Sequence, residues 1–316
     1  MKKTTKITAI LLAMLMLASF SGTAFADSIL DAETGGPVLC DPYTDAGWIQ
    51  VDHLTPTDSL DLNSPFAAQA IDDLSVIKGT QPAYRESNVG AHYYVFGAES
   101  TAYTEAFVNV KLPTELNITS GSDKRHAFFG LGVRGSQKGI DFGITYQGNG
   151  WMPCFNDPYK GISGDSSVTG GAVYTGCVAP STATNAIMVV KPVSTTLVEF
   201  YVRFTDADNN TVGDTFWMQI PVAEGNLTAA ANGRFNCTFF RFASLVPDIG
   251  VPDDQTDGSY MRGGRFTGCQ LYNGTSYVAW GIGNSTVVQA WKVSPERITV
   301  TYSGTTDIVD INHWST

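Results

Sequence analysis

Histidine and basic charge are what this 316-residue chain has least of: four His, and 19 Lys plus Arg against 30 Asp plus Glu, for a formal net charge of −11. A face that holds nucleic acid or an anionic membrane needs clustered Lys and Arg, so both are poor partners. The chain also lacks HExxH, a GxSxG elbow, CxxC and HxxxH spacings, which leaves zinc-dependent chemistry, structural zinc and serine-elbow hydrolysis without support. Past residue 26 no apolar run approaches the roughly 18 to 20 residues of a membrane-spanning helix, so no membrane insertion is expected. Fixed-period repeats and low-complexity tracts are missing too.

What is present begins with an address. Lys2, Lys3 and Lys6 precede an apolar run from Ile10 to Phe20, and Ala24-Phe25-Ala26 closes it. This is the pattern of a secretory signal peptide, and it makes the protein a secreted one. Without residues 1–26 the charge balance is 16 basic against 30 acidic residues, or −14.

Five cysteines, Cys40, Cys154, Cys177, Cys237 and Cys269, fall in the exported part. An oxidising compartment favours disulfides, and the odd count leaves one thiol over. Cys154 and Cys177 bracket a Gly/Ser/Thr-rich segment, and a bridge there would remove loop entropy of about 3 kcal/mol. Cys237 and Cys269 form the second expected pair, with Cys40 left over.

The mature chain reads as strands and turns. One helix is expected over 65–77, with Ser64 as cap, Pro65 at its first position, apolar Phe66, Ala70, Leu74 and Ile77, and Lys78-Gly79 as its end. Residues 27–90 then read as an N-terminal arm carrying that helix. From Ala91 onward about thirteen strand signals follow one another without an intervening helical period. The expected fold is all-β: a two-sheet antiparallel β-sandwich, jelly-roll-like, over 91–316, with one short helix near the N-terminus. Asn273-Gly274 reads as a type I′ hairpin turn.

Alternation sorts the side chains of two hairpins. In the first, Phe129, Leu131, Val133, Ile140, Phe142, Ile144 and Tyr146 share the core face, and Gly130, Gly132, Arg134, Asp141, Gly143 and Thr145 share the other. Glycines at alternate positions mark a bend or a place where something approaches the backbone closely. In the second, Val198, Phe200, Val202, Phe204, Phe216, Met218 and Ile220 face the core. Its other face carries Glu199, Tyr201, Arg203, Trp217 and Gln219. Two aromatics among planar hydrogen-bonding groups make a sugar platform. The plainer reading is an exposed face in which Glu199 pairs with Arg203 and Tyr201 packs on Trp217. Arg134, Asp141, Glu199, Tyr201, Arg203, Trp217 and Gln219 are the candidate ligand-binding residues.

The loop between those two strands places oxygen donors at Asp206, Asp208 and Asn210, with Asp214 as a fourth. It is no EF-hand, because glycine is missing at the sixth position and Trp217 stands at the twelfth. A simpler Ca2+ clip and a polar hairpin turn both fit, and Asp253 to Gly258 is a second, weaker acidic loop.

The glycine-interrupted pair Phe128 to Arg134 and Gly139 to Tyr146, followed by Trp151, resembles the sheets of concanavalin A-like lectins and glucanases. That resemblance implies a jelly roll with sugar on its concave face. The Glu-x-Asp-x-x-Glu strand of the related glucanases is absent. A glycosidase needs two carboxyl groups; Glu199 can be one, and Glu99, Glu105, Asp141 and Asp214 remain equal candidates for the other. For a lyase, His92, Tyr94, His126 and Arg134 are the residues that would have to converge. The main expectation is a non-catalytic recognition protein that binds an extracellular glycan or host glycoprotein. The alternatives are a polysaccharide-degrading enzyme, hydrolase or lyase, of the same fold, and an adhesin using exposed tryptophans such as Trp280, Trp291 and Trp314.

Overall fold

The computed structural model describes residues 38–40, 48–51, 83–86, 91–97, 102–118, 125–135, 139–146, 150–157, 170–174, 177–222, 224–247, 258–281, 285–291, 298–303 and 306–311. The signal segment, the helix expected over 65–77 and the loop at Asp253 lie outside these residues.

The strands, in chain order, begin with β1 (Val38–Cys40), β2 (Trp48–Val51), β3 (Ala83–Glu86), β4 (Ala91–Gly97), β5 (Glu105–Lys111), β6 (Glu115–Asn117) and β7 (Arg125–Arg134). Next come β8 (Gly139–Tyr146), β9 (Trp151–Asp157), β10 (Gly170–Tyr174), β11 (Asn185–Ser194), β12 (Leu197–Thr205), β13 (Thr211–Pro221) and β14 (Thr228–Ala229). The chain ends with β15 (Phe235–Asn236), β16 (Thr238–Pro247), β17 (Tyr260–Tyr272), β18 (Tyr277–Ala279), β19 (Ser285–Trp291), β20 (Ile298–Ser303) and β21 (Thr306–Ile311). All thirteen strand signals read from the sequence correspond to strands of this set.

They form two large sheets. The first runs β1-β13-β12-β11-β5-β17-β21-β20, with β6 and β18 pairing along β17; the second runs β2-β10-β9-β8-β7-β16-β4-β19-β3. Pairing is antiparallel except at β1 with β13 and β3 with β19, which are parallel. Three of the four outermost strands are therefore β1, β2 and β3, supplied by the segment that the sequence marks as an arm.

The two-residue period decides which side chains meet between the sheets. Phe129, Leu131 and Val133 of β7 and Ile140, Phe142 and Ile144 of β8 are buried from the second sheet, and Val198, Phe200, Val202, Phe216, Met218 and Ile220 from the first. Phe142 stacks on Phe200 across the layers with ring centroids 5.2 Å apart. Each such side chain contributes about 1.5–3 kcal/mol when fully buried, which makes this interlayer the main stabilising feature.

The expected disulfides do not form: Cys154, Cys177, Cys237 and Cys269 are all buried and none is bridged. Cys154 alternates with the core-facing Phe155 and so points out of the second sheet, whereas Cys177 lies within the sandwich core. Cys237 and Cys269 are both buried in the core, Cys269 near the Arg241 guanidinium.

The Asn273-Gly274 hairpin forms, but not as a type I′ turn. Tyr272 pairs with Tyr277, so the loop is four residues long, and Gly274 alone within it has positive φ. Asn273 Oδ1 accepts the backbone N–H groups of Thr275 and Ser276 at 2.9 Å each, and this closes the turn with a side chain.

Candidate functional site

The outer face of the first sheet is banded. In its first row Glu199 of β12 stands opposite Gln219 of β13 and Lys191 of β11. Val190 pairs with Ala106, which sets Lys191 beside Glu105 of β5, and Glu105 pairs with Tyr272 of β17. The row therefore reads Gln219, Glu199, Lys191, Glu105, Tyr272 across five strands.

Hydrogen bonds fix both carboxyl groups. Gln219 Nε2 donates to Glu199 Oε1 at 2.7 Å. The Tyr277 hydroxyl, arriving on β18, donates to Glu105 Oε1, and its ring lies 4.9 Å from that of Tyr272. Glu105 is buried, and burial pushes its pKa above the ordinary carboxyl value. The Tyr277 bond and the Lys191 ammonium pull it back down, and the charge of Glu199 pushes it up. Desolvation wins, so Glu105 holds its proton to higher pH than a solvated glutamate.

The second row is apolar: Trp217, Tyr201, Val189 and Phe107 stand side by side on β13, β12, β11 and β5. Tyr201 is only 5% exposed, closed in by Ile187, Phe107, Val189 and Trp217, and burial raises its phenol pKa. The expected sugar platform is thus a single half-exposed indole with the tyrosine beneath it.

Arg134 and Asp141 do not join this face. They belong to β7 and β8 of the second sheet and point outward from it, on the opposite side of the sandwich. Asp141 is 2% exposed. The seven candidate ligand-binding residues therefore fall into two groups, of which Glu199, Tyr201, Arg203, Trp217 and Gln219 share a face. Glu199 bonds Gln219 rather than pairing with Arg203. What approaches the glycines of β7 is its own sheet, because a Cβ on Gly130 would strike the Phe242 ring and one on Gly132 the Phe240 ring.

The lyase constellation also separates. His92 lies opposite Ser244, with Nδ1 3.0 Å from Oγ, while Arg134 lies opposite Thr238, six residues or about 20 Å along the same strand. His126 has no described side chain. Of the carboxyl partners weighed for Glu199, Glu99 lies outside the described residues, Asp141 faces away on the other sheet and Asp214 is exposed near the start of β13. Glu105 remains, and only the strand order reveals it.

The loop from Asp206 to Asp214 folds on itself. Asp206 Oδ1 accepts the backbone N–H groups of Asp208 and Asn210 at 2.9 Å each, and Oδ2 accepts Asn210 Nδ2 at 3.1 Å. The Asn210 side chain, first among these donors, lowers the Asp206 pKa. Asn209, at φ 66°, completes a polar turn. Among the described residues no group of three His, Cys, Asp or Glu could hold a metal ion. Trp280, expected as an exposed contact of an adhesin, is fully buried in the core; Trp291 and Trp314 have no described side chains.

No family model matches the chain, and no curated protein matches it in sequence. Among solved structures it is similar to scytalido-glutamic peptidase bound to a transition state analog inhibitor, at 13% identity and TM-score 0.43, over 72% of this chain and 98% of that one. It is similar to SCP-B, a member of the eqolisin family of peptidases, in complex with the tripeptide Ala-Ile-His, at 11% identity and TM-score 0.38, over 71% and 98%. A laminarinase catalytic domain from Thermotoga maritima MSB8 follows at 12% identity and TM-score 0.22, over 67% and 96%. These are enzymes. The expectation of a non-catalytic carbohydrate-recognition protein is withdrawn: the burial of Tyr201 removes half of the platform on which it stood.

Proposed function

We propose that the chain is a hydrolase of an extracellular polymer and that Glu105 and Glu199 form its acid–base pair. The observation that carries this reading is the row Glu199, Lys191, Glu105, in which one carboxyl group is desolvated and the other is half-exposed and oriented by an amide. A desolvated carboxyl group that keeps its proton is suited to act as the acid of such a pair.

The spacing selects the bond. Two strand spacings, across β11, separate the pair by about 9.6 Å between Cα atoms, so the carboxyl groups do not share one proton but leave room for a bond and a water between them. That geometry suits a glycosidic linkage. Glu105 gives its proton to the leaving glycosidic oxygen as the C1–O bond breaks. Glu199 takes a proton from the water whose oxygen attacks C1 from the opposite side. Lys191, on the strand between them, offsets the charge that Glu105 acquires when it loses its proton. The half-exposed Trp217, Val189 and Phe107 give the sugar ring an apolar surface beside the cleavage point.

The test is reducing-sugar release from a panel of neutral and acidic polysaccharides, with Glu105→Gln and Glu199→Gln beside the wild type. Release that falls by about 100-fold or more in each variant supports the reading. Release of peptides from a denatured protein, lost in the same two variants, would move the pair to amide hydrolysis instead. Polysaccharide cleavage that survives both substitutions would remove Glu105 and Glu199 from the chemistry.

A further inference from the structure

Past the apolar row the same face turns basic. Arg203, Ile187, Asn109 and Thr267 form the third row on β12, β11, β5 and β17, and Lys111 pairs with Arg265 one row further. In a chain of net charge −11 this collects three cations on one surface. Lys111 is exposed and the two arginines are half-exposed. Among the described residues no carboxylate pairs with any of the three, and the Asp206 carboxylate nearby is engaged within its own loop.

A second observation points to a missing ligand. Asn109 Oδ1, Arg203 Nε and Arg265 Nε are buried polar atoms without a hydrogen-bond partner, and all three belong to this patch. Buried polar atoms are nearly always satisfied, so three orphans in adjacent rows mark a place that something polar completes. Two guanidinium groups and an ammonium recognise an oxyanion, with forked donors that suit carboxylate or sulfate oxygens.

We propose that Arg203, Lys111 and Arg265, with Asn109 between them, form a subsite for an acidic substituent of a linear polysaccharide. Strand rise places Arg203 about 14 Å and Lys111 about 20 Å from the Glu199–Glu105 row, so the polymer would lie along the strands and cross the apolar row between the two. The link to cleavage rests on the hydrolase reading; the binding itself does not.

The experiment is affinity electrophoresis of the full chain in gels containing polygalacturonate, dextran sulfate or neutral hydroxyethyl cellulose, with Arg265→Gln, Lys111→Gln and Arg203→Gln beside the wild type and urea midpoints confirming that each variant is folded. Retardation by polygalacturonate that weakens about tenfold or more in the variants assigns a carboxylate. The same behaviour with dextran sulfate assigns a sulfate. Retardation by hydroxyethyl cellulose as strong as by either polyanion, or by none of the three, would overturn the subsite, as would undiminished retardation of Arg265→Gln and Lys111→Gln. Retardation without polymer cleavage would keep the subsite and sink the hydrolase. Cleavage without differential retardation would do the reverse.

Discussion

Arg241 and Asp307 form a fully buried ion pair that ties the two sheets together: Nε and Nη2 of Arg241 donate to one oxygen, Asp307 Oδ2, at 2.9 and 2.6 Å. Nη1 donates to the Trp280 carbonyl at 3.1 Å, and the guanidinium lies 4.7 Å from the centre of the Trp280 ring. Removing one partner from such a pair strands a charge in a low dielectric. Asp307→Ala should lower stability by about 3–5 kcal/mol, and replacing both partners with Arg241→Met and Asp307→Leu should recover most of that loss. Urea unfolding of the single and double variants checks both; a single-variant loss below about 1 kcal/mol would show that the pair is not desolvated.

The same pair explains where the sequence is hard to read. In β21 the buried positions are Asp307, Val309 and Ile311, and Ile308 turns outward, so a charge occupies a core position and the alternation is hidden. Within hairpins alternation works well: it places Glu199, Tyr201, Trp217 and Gln219 on one face, as the register has them. It says nothing about which sheet a hairpin joins, and for that reason Arg134 and Asp141 separate from the others. Glu105 was indistinguishable from Glu99, Asp141 and Asp214 because its place beside Glu199 depends on β5 pairing with β11, a contact between residues some eighty positions apart.

Glu105 makes stability depend on pH in a definite direction. Its folded pKa is raised by burial above the unfolded value of 4.5, so the folded state favours the protonated form. That contribution is fully present below pH 4.5 and is lost as pH rises through the higher folded value. Glu105→Gln cannot ionise and should be more stable than the wild type at neutral pH, the gap closing on acidification. Urea midpoints across pH 3 to 8, a range of about 5 units around the carboxyl values, test this; a gap that widens toward acid would reverse the assignment.

Gly132 is required by its neighbour. A Cβ there would fall within the Phe240 ring, which packs beside the Phe242 ring on β16, so the ring would have to move. Gly132→Ala should destabilise by about 1–3 kcal/mol through overpacking. Phe240→Leu in the same background should relieve part of that loss, and calorimetric midpoints of the two variants measure it.

Four thiols should be silent in the native protein. Cys154, Cys177, Cys237 and Cys269 are buried, and burial pushes Cys237 and Cys269 up to about 12, so neither exposure nor thiolate is available. A thiol-reactive chromophore should label none of the four at neutral pH and, with Cys40, all five in denaturant without reductant. Two labelled thiols fewer in denaturant would reveal a disulfide.

The stereochemistry of cleavage gives the sharpest reading of the site. With Glu105 and Glu199 two strands apart, their Cα atoms stand about 9.6 Å from each other at sheet spacing, which suits a water between the carboxyl groups better than a carboxylate in contact with the anomeric carbon. Water must attack from the Glu199 side, and the first product should carry the inverted anomeric configuration. Proton NMR during the first minutes of digestion, before mutarotation mixes the anomers, distinguishes the outcomes. Retention at C1 would require the carboxyl groups to approach within roughly 5.5 Å, and it would overturn the assignment of Glu199 as the base that activates a water.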